Sequence, residues 1–141
     1  MDYYAFRRIV QILNYNYMSM GRILAVDDDI DILEVLQFIL EDSGYEVDTL
    51  SDGHYLLDTI RKKAPDLILL DIMLGNMDGR ELCKEVKNQD FTHDIPVILI
   101  SASHNISNAM NQDGAPNDFI AKPFDINNLL AKIKNHLRPA A

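Results

Sequence analysis

The sequence has no tryptophan and one cysteine, Cys83, so no internal disulfide can form. Lysine and arginine are in deficit, 13 against 22 aspartates and glutamates, for a net charge of −9. Arg7, Arg8 and Asp2 give residues 1–21 a charge of +1, which leaves −10 to residues 22–141. A broad basic surface is therefore excluded, and with it direct binding of nucleic acid through one. No apolar run approaches the ~20 residues of a membrane-spanning helix. The N-terminus lacks the cationic start and uniform apolar stretch of a secretory signal. These absences point to a cytosolic protein without a membrane anchor. Hydrophobic residues make up 48% of the chain. That is enough for a packed core and argues against global disorder.

What is present is a repeating alternation. Short apolar runs stand at 22–26 (RILAV), 45–50 (YEVDTL), 66–71 (DLILLD), 95–101 (IPVILIS) and 118–122 (DFIAK). Between and after them lie helical patterns at 32–44, 51–63, 79–88, 107–114 and 125–137. The segment 107–114 is the weakest of these, being polar. Gly44 stops the first pattern; Ser51 or Asp52 and Asp125 are placed to cap two of the others. Five β-α repeats predict an α/β domain, a parallel sheet wound on both faces by helices. The runs 67–70 and 97–100 do not alternate, so they belong at the centre, buried on both sides. In such sheets a site forms beyond the carboxyl ends of the strands.

The polar residues fall on that rim. The first strand runs into Asp27, Asp28 and Asp29; the third ends at Asp71, the fourth at Ser101 and the fifth near Lys122. Each has an ordinary explanation alone. Aspartates after a strand usually cap a helix, serines usually turn the chain, and lysines are usually solvated. Together they describe a site. Adjacent carboxylates repel, and a hard divalent cation shared by two of the three with Asp71 removes the repulsion. Asp29 is left to cap the next helix.

In order and spacing, Asp27-Asp28, PDLILLDIMLGNMDG around Asp71, PVILISA around Ser101 and DFIAKPF around Lys122 resemble the receiver domain of two-component response regulators. The likeness covers residues 21–138 and leaves residues 1–20 as an extension. It implies a flavodoxin-like, doubly wound, five-stranded sheet of order 2-1-3-4-5 with five helices. It implies Asp71 as phosphoacceptor, with Mg²⁺ held by Asp28, by Asp27 through water, by Asp71 and by the backbone carbonyl of Met73. Lys122 and the Ser101 hydroxyl would contact the phosphoryl oxygens. Phe119 would be the switch aromatic that turns inward, and the Lys122–Pro123 bond would be cis. Met73 and Ser103 occupy places that tune loss of the phosphate.

The implied partners are a histidine kinase or histidine phosphotransfer protein, a downstream protein, and a weak homodimer through the face made by 107–114, 118–122 and 125–137. No output domain follows the last helix, so a stand-alone receiver is expected. Two positions depart from the family. Gly75 stands where proline is common, which predicts a more mobile loop. Phe119 lacks the hydroxyl of the commoner tyrosine.

Three other readings compete. Asp27-x-Asp29-x-Asp31 begins like a calcium loop, but Ile32 and Phe38 stand where that loop needs glycine and glutamate. A haloacid-dehalogenase-type phosphohydrolase needs threonine or valine at Asp31 and an acidic pair after the lysine, where only Asp125 follows. A receiver-like adaptor that takes no phosphate is disfavoured by the intact five-residue set. The four histidines, 54, 93, 104 and 136, lack ligand spacing and read as surface residues, and Cys83 as core. In residues 1–20, Phe6, Ile9, Val10, Leu13 and Tyr17 share one helical stripe beside Arg7, Arg8, Gln11 and Asn14, which predicts an extra helix packed on the domain or on a second copy. Met18 and Met20 are alternative translation starts, and the segment is then without a role.

Overall fold

The computed structural model describes residues 1–14, 19–102, 110 and 112–137. Its elements run α1 (Tyr3–Asn14), β1 (Arg22–Val26), α2 (Ile30–Asp42), β2 (Glu46–Leu50), a 3-10 turn (Gly53–Tyr55), α3 (Leu56–Lys62), β3 (Leu67–Asp71), β4 (Met73–Leu74), β5 (Met77–Asp78), α4 (Gly79–Lys87), β6 (Val97–Ser101), β7 (Asp118–Ala121) and α5 (Ile126–His136). Residues 107–109 and 111 of the segment 107–114, with Ser103 and His104, lie outside the described residues.

All pairings in the five-stranded sheet are parallel, in the order β2-β1-β3-β6-β7. That is the expected 2-1-3-4-5 order, with β6 and β7 as its fourth and fifth strands. β3 and β6 are buried at every position, as their unbroken apolar runs require. The edge strand β7 alternates, with Ile120 buried and Phe119 and Ala121 exposed.

The side-chain period of two divides the core in half. Ile23, Ala25, Leu67, Leu69, Ile98, Ile100 and Ile120 face α2 and α5. Leu24, Val26, Ile68, Leu70, Val97 and Leu99 face α3 and α4. The chain therefore leaves β1 toward one face and β3 toward the other. A crevice opens between the carboxyl ends of these neighbouring strands, where such sheets place their sites.

Helix starts follow the capping residues. Asp29 accepts from the amides of Asp31 and Ile32, Asp52 from His54, Asp78 from Arg80 and Asp125 from Asn128. Gly44, at φ +99, ends the α2 turn in a conformation that favours glycine.

The N-terminal helix forms, but it does not dock through the expected stripe. Arg7 donates to the Phe38 carbonyl at 3.0 Å and lies 4.0 Å over the Phe38 ring. Gln11 donates to Glu41 at 2.7 Å, and Tyr3 stacks on Phe38. Phe6, Ile9 and Leu13 stay exposed and Val10 is half-buried; Tyr17 lies outside the described residues. The surface that α1 meets is the Phe38 ring and carbonyl with the Glu41 carboxylate nearby, which take the Arg7 and Gln11 side chains and the Tyr3 ring.

Candidate functional site

Asp71 is the last residue of the central strand and Asp27 directly follows its neighbour β1. Both are almost fully buried, at 5% and 1% exposure, whereas Asp28 is exposed. The three can each bring a carboxylate oxygen within 4.8 Å of the others. The Asp27 carboxylate accepts from the Asp29 amide at 2.9 Å. The Asp71 carboxylate accepts from the Met73 amide at 3.1 Å.

Lys122 enters from the far side of the sheet, just past β7. Its ammonium donates to Asp71 at 3.0 Å and to Asp27 at 3.2 Å. The Lys122–Pro123 bond is cis. The Lys122 amide donates to the Ser101 carbonyl at 2.7 Å, which ties the ends of β6 and β7 together. Ser101 is buried at 3% exposure.

The electrostatics follow from packing two acids and one cation in a shielded place. Burial pushes the Asp27 carboxyl above its ordinary value; the Asp29 amide opposes this, and the Asp71 charge adds to it. Burial on its own lowers the Lys122 ammonium. Hydrogen bonds and charge from Asp71 and Asp27 outweigh that and hold it above the usual lysine value. One ammonium thus pairs with two of the three clustered carboxylates. The remaining negative charge and the all-oxygen donor set suit a hard divalent cation such as Mg²⁺.

Of the residues singled out from the sequence, Asp27, Asp28, Asp71 and Lys122 meet in one place. Met73 borders it, with its amide on Asp71 and its thioether chain 72% exposed. Ser101 ends the strand next to β3. Phe119 is farther out on β7, paired with Leu99 and 36% exposed.

The loop after Asp71 folds back on itself. Residues 73–78 form a two-residue hairpin, β4 pairing with β5. Gly75 has φ +64, and no described residue other than glycine has a positive φ. A positive φ at the first central position alone is the type II′ pattern. Proline, locked near −65°, cannot occupy Gly75 in this form. Gly79 was also missed. A Cβ there would lie 2.1 Å from the Asp71 carbonyl oxygen. Its only sequence signal is the Asp78-Gly79 pair at a helix start.

Cys83 is buried in the core between the sheet and α4, as expected. His54 and His93 are exposed, but His136 is partly covered and lies 3.1 Å from Asp118.

The model of the response regulator receiver domain matches residues 23–134. Among solved structures, a CheY-like response regulator receiver protein of Methanospirillum hungatei JF-1 superposes with a TM-score of 0.76 at 32% identity, over 84% of this chain and 94% of that one. The chemotaxis response regulator CheY4 of Vibrio cholerae gives 0.76 at 28% identity, over 84% and 99%. NtrX of Brucella abortus gives 0.74 at 36% identity, over 84% of this chain but 27% of its own.

Proposed function

The chain belongs to the response-regulator receiver family, and from that premise we propose that Asp71 accepts a phosphoryl group from the phosphohistidine of a histidine kinase or histidine phosphotransfer protein. Accepting phosphoryl groups in two-component signalling is the general function of the family, and its members bind Mg²⁺ at a cluster of aspartates. One observation carries the assignment to this residue. Asp71 closes the buried central strand, and its carboxylate meets both Lys122 and the Asp27–Asp28 cluster.

A carboxylate oxygen of Asp71 attacks phosphorus. The phosphorus–oxygen bond forms as the phosphorus–nitrogen bond breaks, and the histidine nitrogen leaves with the electron pair and takes up a proton. Such transfers depend on positioning and charge. Lys122 places its ammonium against one phosphoryl oxygen, and the Ser101 hydroxyl donates to another. Asp27, Asp28, Asp71 and the Met73 backbone carbonyl would hold Mg²⁺, which when bound offsets the negative charge of the phosphoryl group. The chain is thus a phosphoacceptor and not a turnover enzyme, apart from slow loss of its own phosphate. Neither the Met73 thioether nor the Ser103 hydroxyl orients attacking water as an amide or carboxylate would, so that loss is slow.

Phosphate on Asp71 draws Ser101 toward it, and Phe119 turns inward. The face that includes β7 and α5 then changes for a downstream protein partner, and a weak homodimer strengthens through it. Residues 21–141 make up the receiver domain and 1–20 an extension. The net charge of −10 over 22–141 supports a protein without direct nucleic-acid contacts. Among the described residues no helix is long and apolar enough to cross a membrane; a cytoplasmic site of action fits both observations.

Acetyl phosphate with Mg²⁺, followed by intact-mass measurement, tests the proposal. The wild type should gain one phosphate and Asp71→Asn none, with the fold retained. Continuous turnover of acetyl phosphate would point to a hydrolase instead. An unlabelled wild type would point to a binding module that takes no phosphate.

A further inference from the structure

Lys132, on the inner side of α5, takes no part in the site around Asp71. Its ammonium nevertheless gathers three contacts at the switch position. It lies 5.2 Å from the centre of the Phe119 ring, over its face. It donates to the Phe119 carbonyl at 2.8 Å and to the Asp118 carboxylate at 3.0 Å. The other Asp118 oxygen lies 3.1 Å from His136 Nε2, one turn farther along α5. The Asp118 carboxylate also accepts from the Phe119 amide at 2.8 Å. The backbone on both sides of Phe119 is thus tied to α5 by polar contacts, and its ring is tied by a cation over the π face.

We propose that Lys132 is a positioning residue that holds Phe119 in its exposed orientation and so sets the resting balance of the switch. This rests on the reading of Phe119 as the switch aromatic. The ring has no hydroxyl, so no side-chain hydrogen bond can favour either orientation. The outward ring touches the ammonium; a ring turned toward Ser101 leaves it. The hydrogen bonds of Lys132 to Asp118 and to the Phe119 carbonyl need not break in that turn. The cation–π contact is the part that distinguishes the two orientations, and only a differential contact can shift such an equilibrium. An exposed contact of this kind corresponds to a population factor of about two to five. That is the right size for a restraint that phosphorylation can overcome.

The test uses the full chain with 4-fluorophenylalanine incorporated at position 119, read by fluorine NMR before and after acetyl phosphate with Mg²⁺. Lys132→Met should move the unphosphorylated ring signal toward the phosphorylated position, raising the inward population about two- to fivefold. The rate of self-phosphorylation should rise in step. Lys132→Arg should restore both, since guanidinium also sits over aromatic rings. Lys132→Gln keeps a donor for Asp118 and the Phe119 carbonyl but has no charge. It should behave as Lys132→Met, and it carries the test if that variant does not fold.

An unphosphorylated ring signal and rate at wild-type values in both uncharged variants would overturn the proposal while leaving the receiver reading standing. Changes that Lys132→Arg does not reverse would also overturn it, by showing a packing effect. A wild type that takes no phosphate would instead remove the receiver reading, and the proposal with it.

Discussion

Gly79 lies against the main chain of Asp71. A Cβ at position 79 would lie 2.1 Å from the Asp71 carbonyl oxygen and 2.8 Å from Ile72 Cα. The Gly79 amide donates to the Ile72 carbonyl at 2.7 Å. The hairpin of β4 and β5 returns the chain to the end of β3, and α4 begins there, capped by Asp78. Space for no more than a hydrogen is left at the turn, and the position of Asp71 depends on it.

Gly79→Ala should therefore disturb the site more than an ordinary helix substitution does. The backbone of the acceptor strand must shift, at a cost of about 1–3 kcal/mol. The denaturation midpoint should fall, and Asp71 should label more slowly with acetyl phosphate. Unchanged values of both would mean that the hairpin can swing away freely.

Asp28 and Lys122 should separate by readout. Asp28→Ala removes a carboxylate from the cluster and should abolish measurable Mg²⁺ binding in calorimetric titration. Lys122→Ala removes a cation and should leave Mg²⁺ binding intact while slowing phosphotransfer and blocking the switch. Equal loss of metal affinity in the two variants would show the assigned roles to be wrong.

Cys83 gives a pH dependence of known sign. Burial pushes its thiol up to about 11, with Lys87 pulling weakly the other way. An exposed thiol in the unfolded chain titrates near ~8.5. Between these values the unfolded chain loses a proton that the folded one keeps, so stability falls as pH rises, by at most about 1.4 kcal/mol per unit. Below the unfolded value this contribution is flat. Urea titrations across alkaline pH should show the slope in the wild type and a shallower one in Cys83→Ala.

Deleting residues 1–19 should leave the domain folded, because its core lies within Ile23–Ile133. Among the described residues the loss comprises the Arg7 and Gln11 contacts with α2, the Tyr3–Phe38 stack and the Ser19–Gly21 hydrogen bonds. About 1 kcal/mol is expected, as exposed polar and cation–π contacts are weak. Melting temperature and light scattering measure it. A large fall in melting temperature, or a change from dimer to monomer, would assign the helix a structural role.

The sequence by itself determined the strand pattern, because the residues that decide it are local. β3 and β6 are apolar at consecutive positions, and only a strand buried on both faces tolerates that. Asp29 and Asp125 announced their helices for a similar reason, since a cap bonds amides two or three residues away. The rim of Asp27, Asp28, Asp71, Ser101 and Lys122 was legible because parallel topology sends every strand end to one side.

Tertiary structure decided what depends on one element meeting another. The clearance at Gly79, at the start of α4, is set by the Asp71 carbonyl at the end of β3. The tight turn at Gly75 needed the pairing of β4 with β5. The face by which α1 docks is set by Phe38 and Glu41 of α2, not by its own apolar stripe. Nothing in the pattern of 125–137 sets Lys132 apart; its place over Phe119 exists only because α5 packs beside β7. Periodicity records which side of an element is buried, but not what the other side will meet.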